Sequence, residues 1–340
     1  MTSVPEDDGW FRRLLGLDAM PDEGSAVQAR GQGFTMRDGI LRADALLSAA
    51  QRQTATAFGY KWHQRDTFER PEALARVRAW LIERYGDVAQ ADWLAGDRPK
   101  LVLDAGCGGA MSAAELFGAA LVGMRYVGVD VSEAVDVARD RFAGRAWPAG
   151  FLQADLMRLP FAPGSFDAIL SEGVMHHTDS TEAAFRALVP LLRPSGRFLF
   201  YVYRRKGPIR EFTDDHVRER IQAMTPAQAW EALKPLTQLG IALGRLGATI
   251  EIDRPIDLLG IPAGSFDLQR FFYWHVCKTF YRPELTFDEM HHINFDWFAP
   301  KNAHRQSEQD VRGWCDAAGL EIERERIEEA GITMIARKRG

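Results

Sequence analysis

Between residues 100 and 203, short and almost wholly apolar runs alternate with stretches whose apolar residues recur every three or four positions. The apolar runs are LVLDA (Leu101–Ala105), YVGVD (Tyr126–Asp130), FLQAD (Phe151–Asp155), FDAILSEG (Phe166–Gly173) and GRFLFYVY (Gly196–Tyr203). Such runs predict strands covered on both faces, as in a parallel sheet. The segments around 111–119, 132–142 and 181–192 predict the intervening helices. Repeated strand–helix units joined by right-handed crossovers give a doubly wound α/β sheet.

Outside this region the rhythm changes. Residues 44–58 and 71–85 predict helices; Pro71 suits a first helical position, and Leu74, Val77, Leu81 and Ile82 form one stripe. Gly33–Arg42 predicts a short hairpin about Asp38-Gly39, a pair that favours positive φ. Residues 1–30, rich in Asp, Glu, Gly and Pro, are expected to be loosely ordered. Residues 204–305 hold Thr225-Pro226-Ala227-Gln228, a capping box, and many aromatics, among them Phe271, Phe272, Tyr273, Trp274 and Phe280. They predict a mainly helical insertion over the ligand edge of the sheet, with most of these rings packing its own core. Ser307 and Asp310 cap a further helix, which presents Val311, Trp314, Cys315 and Ala318 on one face and stops at Gly319. LEIERERIE and GITMIARKR then predict an antiparallel pair turning at Ala330-Gly331.

The expected fold is therefore a Rossmann-like, mostly parallel sheet of seven strands with an antiparallel last strand. Its expected parts are an N-terminal extension and helical lid over 1–95, a cofactor-binding half of the core over 96–205, a helical cap over 206–305, and the last helix and two strands over 306–340.

Composition changes this picture little. The 340 residues are 46% hydrophobic, enough for a sizeable core. A formal charge of −5 and a pI near 6.0 argue against a nucleic-acid partner, and RRKGPIR (Arg204–Arg210) suits a solvated loop. Cys107, Cys277 and Cys315 lie far apart, so neither a disulfide framework nor a metal site is expected. No apolar run approaches the ~18 residues of a membrane span, and no leader is evident, so a cytoplasmic protein is expected. The oligomeric state stays open, a homodimer included.

The candidate chemistry sits at the first crossover. LVLDAGCGGA (Leu101–Ala110) runs from a strand through Asp104 into a tight turn, where Gly106 and Gly108 let the backbone come close to a ligand. Asp130 closes the next strand, where a carboxylate can accept both ribose hydroxyls of a nucleotide-type cofactor. A plain strand-to-helix turn without a ligand would use the same glycines.

Four strings in order carry a resemblance: LVLDAGCGG, YVGVDVS, FLQADLMRLPFAPGSFDAILSEGVMHHT and LLRPSGRFLFYVY. Over Lys100–Tyr203 and Ser307–Arg339 the chain resembles the class I S-adenosylmethionine-dependent methyltransferases. It departs from them at Ala110, where that family often has glycine. The resemblance implies S-adenosylmethionine as cofactor and a role for each residue. The turn over Ala105, Gly106 and Gly108 and the following helix N-terminus would hold the cofactor's carboxylate, and Asp104 would serve its ammonium, directly or through water. Asp130 and Val131 would hold the ribose, and Asp155 the adenine amino group, with Ala154 and Leu156 beside the ring. Glu172 and Gly173 would face the transferred methyl. Each of these acids also suits a cap or turn.

Glu172, His176 and His177 are the catalytic candidates. A histidine with its usual pKa near ~6.5 suits general-base work, although paired histidines at such a junction also serve packing. FGYKWHQRDTFE (Phe58–Glu69) resembles an N-terminal F-x-Y-x-W lid of some small-molecule methyltransferases, which would place Tyr60 and Trp62 near the methionine end; packing on the core is the competing reading. GFTMRDGIL resembles a zinc-ribbon-like piece but lacks its cysteines, so no metal is expected. Asn294, Asp296, Trp297, His304, Tyr203 and Arg204 are candidates to line the acceptor site.

The function these features imply is methyl transfer by in-line displacement to an O or N nucleophile of a small-molecule acceptor. A methyltransferase of RNA or protein is the first alternative; it would want a basic groove, and the Asn-Pro-Pro-Tyr motif of amino-group methylation is absent where SEGV (Ser171–Val174) stands. A nicotinamide-dependent oxidoreductase is the second, disfavoured by Met111 where a third glycine is wanted. A non-catalytic binding protein is the third.

Overall fold

A computed structural model describes residues 9–44, 47–63 and 69–340. Five parallel strands form its centre: β4 (Lys100–Ala105), β5 (Met124–Asp130), β6 (Ala149–Gln153), β7 (Phe166–Glu172) and β8 (Leu192–Tyr203). Their order is β6-β5-β4-β7-β8, so the chain leaves β4 toward one edge and returns to the other side of it at β7. The last two strands, β11 (Leu320–Ile327) and β12 (Gly331–Lys338), pair as the sequence predicts, with β12 antiparallel to β8.

Alternation along each strand divides the core. Leu101, Leu103, Val127 and Val129 face one side, under α1 (Trp10–Leu15), α6 (Thr181–Leu188) and α11 (Glu308–Ala317). Val102, Tyr126 and Leu170 face the other, under α3 (Pro71–Tyr85), α4 (Met111–Phe117) and α5 (Ala134–Ala143). Neighbouring residues packing on opposite layers is the period-two geometry of a sheet covered on both faces.

The sheet is larger than expected. Among the described residues it has ten strands, because β1 (Ala26–Ala29), β2 (Gln32–Arg37) and β3 (Ile40–Ala43) join it beyond β6. The predicted hairpin is present, turning at Asp38 (φ 53°) and Gly39 (φ 71°). Its second strand adds to the sheet by pairing Leu41 with Leu152 and Arg42 with Gln153. Phe34, Met36, Ile40 and Leu41 are buried there, and the meander covers an edge that β6 would otherwise expose.

Residues 9–30 are correspondingly ordered, against the expectation from composition. Leu15 and Ala29 are fully buried, and Phe11 lies so close to Gly150 that a Cβ there would come within 2.2 Å of the ring. The spaced apolar residues Phe11, Leu15 and Leu17 outweigh the polar bias of their neighbours. The helix expected over 44–58 instead runs as α2 (Ala49–His63), and residues 45–46 lie outside the described ones.

The insertion holds α7 (Pro208–Ile221), α8 (Pro226–Leu246), a hairpin of β9 (Thr249–Ile252) and β10 (Gly264–Asp267), α9 (Leu268–His275) and α10 (Phe287–Phe298). The capping boxes at Thr225–Gln228 and Ser307–Asp310 both form. Its aromatic core of Tyr203, Phe295, Trp297 and Phe298 rests on the carboxyl end of β8.

If the N-terminal segment is part of the core, Leu15→Ala costs about 2–5 kcal/mol, the range for emptying a buried leucine site. Urea unfolding checks this; a loss below ~0.5 kcal/mol, as at ordinary surface positions, contradicts it.

Candidate active site

The turn after β4 is shaped by two glycines in the left-handed region, Gly106 (φ +87°) and Gly108 (φ +51°). A Cβ on Gly106 would come within 2.0 Å of Val174, so only glycine fits there. Ala110 also has positive φ (54°) at the start of α4, so the family's usual glycine position keeps its backbone shape here. That conformation costs an L-residue about 1–2 kcal/mol, which the surrounding packing offsets.

Asp130 fastens this turn. Its carboxylate accepts the Gly108 N–H (2.8 Å), the Ser132 N–H (2.8 Å) and the Ser132 hydroxyl (2.6 Å). Burial raises its pKa, while these hydrogen bonds and Lys61 oppose the shift. Gly106 and Cys107 also donate their N–H groups to the Val129 carbonyl. The ends of β4 and β5 are thus locked together where the residues that follow both strands line a cavity.

They open onto a cavity of about 780 Å³ at the carboxyl ends of the strands, beside the reversal between β4 and β7. Gly106, Gly108, Asp130, Val131, Asp155 and Leu156 lie on its wall, as do Glu172 and Gly173. Sheets of this kind place their ligand crevice at such a reversal. Asp155 accepts the Met157 N–H at 3.0 Å through one oxygen.

Other expected residues are placed elsewhere. Asp104 is buried behind the wall, accepting the Tyr126 hydroxyl at 2.6 Å, and burial pushes its pKa up to about 7. Ala105 and Ala154 are buried among the strand ends. The Glu172 carboxylate is engaged by the Tyr85 hydroxyl and by Arg84 at 2.9 Å. Arg84 is itself clamped between the rings of Trp80 and Tyr201, each 3.7 Å from the guanidinium carbon. Neither Arg84 nor its clamp carries a motif by which sequence reasoning finds it.

The adjacent histidines part company. His176 is fully buried and stacked on Tyr203 at 3.7 Å, with both ring nitrogens unpaired among the described residues. Burial holds its pKa well below the usual value. His177 lies on the cavity wall, with Nδ1 2.6 Å from the Asn302 carbonyl. A carbonyl only accepts, so Nδ1 carries the hydrogen and Nε2 keeps its lone pair. Burial holds its pKa at about 4.

In the F-x-Y-x-W string, Phe58, Lys61 and Trp62 face the cavity, while Tyr60 turns away onto Trp230 and Phe295. The i, i+3, i+4 spacing of a helix face accounts for this and was available in the sequence. Trp62 lies directly over the glycine turn: a Cβ on Gly108 would come within 2.6 Å of its Nε1. The string's residues 64–68 lie outside the described ones.

From the insertion, Asp296 reaches the wall and pairs with Lys61 at 2.5 Å; that partner holds its pKa at about 2 against the effect of burial. Tyr203 is also on the wall. Asn294 is turned inward, accepting the Phe280 N–H and donating to the Thr237 hydroxyl. The Trp297 N–H donates to Asp214. His304 is exposed, and Arg204 pairs with Glu308. Lys278 and His292, which the sequence does not single out, and Phe280, expected to pack the insertion's own core, complete this end of the cavity. Among the described residues, no cluster of three or more His, Cys, Asp or Glu could hold a metal ion, and no helix is long and apolar enough to cross a membrane.

Residues 103–200 match a family described as a methyltransferase domain. The chain is 38% identical over 103 residues to the O-methyltransferase cnsE of Penicillium expansum, a stretch covering 29% of this chain and 36% of that protein. It is 38% identical over 129 residues to methyltransferase GfsG of Streptomyces halstedii, covering 37% of this chain and 42% of that one. The chain thus spans less than half the length of these curated relatives. A solved 1,6-didemethyltoxoflavin-N1-methyltransferase of Burkholderia thailandensis is 17% identical with a TM-score of 0.44, covering 94% of this chain and 100% of that chain.

The buried His176 gives a signed pH effect. Below the unfolded value near ~6.5, the unfolded chain binds a proton at residue 176 that the folded chain does not, so acid favours unfolding. His176→Phe keeps a ring on Tyr203 and removes this site. Its stability relative to the parent should rise between pH 7.5 and 5.5 by up to about 1.4 kcal/mol per pH unit. Urea unfolding at both pH values checks it; a pH-independent difference contradicts it.

Proposed function

We propose that the protein is an S-adenosylmethionine-dependent methyltransferase acting on an O or N nucleophile of a small molecule. The observation that carries this reading is the Asp130 carboxylate on the cavity wall, tied to the Gly108 N–H of the glycine turn. The name of the Penicillium relative favours oxygen as the accepting atom.

The residues fit the cofactor. An ionised carboxylate offers about four lone-pair sites, and Asp130 uses three, leaving room for one ribose hydroxyl. Asp155 keeps one oxygen for an adenine amino group, with Leu156 as the apolar neighbour. The volume of about 780 Å³ lies in the ~300–1,000 Å³ range of small-molecule sites, enough for cofactor and acceptor together. When bound, the cofactor supplies a methyl group already activated on a sulfonium.

The protein's own part is to align the reactants and exclude water. Helices α2 and α3 act as lid and the helices of the insertion as cap, with the Lys61–Asp296 ion pair joining α2 to α10. This enclosure favours a small acceptor over an extended polymer. His177 Nε2 takes the proton from the acceptor nucleophile; at neutral pH its depressed pKa keeps it unprotonated. Glu172 positions Arg84 and the aromatic clamp.

Calorimetric titration with S-adenosylhomocysteine should show binding that Asp130→Ala weakens by about tenfold or more, a loss of ~1.4 kcal/mol. His177→Gln should keep that binding and lower kcat about 10²–10⁴-fold with any acceptor the parent turns over. No binding by the folded parent overturns the reading; unchanged kcat in His177→Gln removes the base.

A further inference from the structure

Among the described residues, five cationic side chains lie on the cavity wall: Lys61, Arg76, Arg84, Lys278 and Arg282. Four have a carboxylate partner: Asp296 for Lys61, Glu289 for Arg76, Glu172 for Arg84 and Glu284 for Arg282. Among the described residues Lys278 has none within ion-pair distance, although it is only 8% exposed. Its Nζ rests 4.6 Å from the Trp297 ring, a contact worth about 0.5–2 kcal/mol that supplies no hydrogen-bond acceptor.

Its backbone is fixed. The Lys278 N–H donates to Asp214, and the next residue's carbonyl accepts from Gln269 and packs on Gly240. A buried ammonium without a counter-charge is costly, so the site is built for an anion or else loses its proton. The charges around it leave an excess. Lys61 of α2 and Asp296 of α10 cancel, as do Arg210 and Asp214 of α7. His177 and His292 are neutral, held at about 4 and about 3 by burial. Lys278 alone remains uncompensated among these groups. Phe58, Phe280 and Tyr203 supply flat apolar walls on the same cavity.

Resting on the methyltransferase reading, we propose that Lys278 anchors a carboxylate of the acceptor, which is an acid with a planar apolar body. Burial lowers the free amine to about 7, so anion binding draws a proton onto it. Affinity for an anion should therefore fall as pH rises through that value, approaching tenfold per unit above it. A carboxylate at Lys278 could also belong to the cofactor, and the test separates the two sources.

Benzoate and its neutral isostere benzamide are titrated into the protein with and without S-adenosylhomocysteine. The parent should bind benzoate about tenfold or more tighter than benzamide, with the preference shrinking from pH 6 to pH 9. Lys278→Met should lose the preference and keep S-adenosylhomocysteine binding; Lys278→Arg should retain both. Equal binding or no binding of the two probes overturns the proposal, as does a preference that survives in Lys278→Met. Loss of S-adenosylhomocysteine affinity in folded Lys278→Met, with the benzoate preference intact, assigns the lysine to the cofactor and also overturns it. Failure of the parent to bind S-adenosylhomocysteine at all sinks the methyltransferase reading instead, while the benzoate preference is still read on the ligand-free protein.

Discussion

Everything at the site depends on the tie between Asp130 and the Gly108 N–H. Parallel strands deliver their carboxyl ends to one edge, and the reversal beside β4 leaves a gap there. A gap alone has no fixed walls. The buried carboxylate holds the glycine turn against the end of β5, and Ser132 holds the carboxylate from the other side. Gly106, pressed against Val174 where no Cβ fits, fixes the turn's path. The binding edge is thus set by a few short polar contacts within a rigid sheet, the arrangement that places a ligand without a large ordering cost.

The enclosure is built by elements remote in sequence. Trp62 from α2 covers the glycine turn, while Lys61, one residue earlier, reaches Asp296 of α10. Arg84, from α3, is held by Glu172 of the core and by Glu328 near the last hairpin, between two aromatic rings. A buried ion pair is weak evidence for added stability, because desolvation offsets much of its attraction. Its consequence here is geometric: Arg84–Glu172 fixes α3 on the end of β7, and Lys61–Asp296 fixes α2 to α10. Among the described residues Lys278 differs from them by lacking such a partner.

The central fold was legible because the strands are short apolar runs ending in acids and glycines, a pattern that depends on local residues alone. The turn residues and capping boxes were legible for the same reason. The three-strand meander was not, because its joining to β6 is a long-range pairing to which Leu41 and Leu152 give no local sign. Asp130 and Asp155 stand on the cavity wall, a position their place at strand ends makes readable. The partner of Asp104 had no local sign: Tyr126, on the neighbouring strand, donates its hydroxyl to that buried carboxyl. The two histidines looked alike in sequence and differ because successive residues of a tight turn point in different directions. Lys278 and Arg84 were invisible because their burial is decided by rings from three separate segments.

Under the proposed function, the strand ends, α2 and α10 close on one ligand. Hydrogen–deuterium exchange with and without S-adenosylhomocysteine tests it most directly. The account predicts joint protection of the 104–112 turn, the 130–132 segment, α2 and α10. Protection absent from the glycine turn, or confined to it while both helices exchange as before, would contradict the claim.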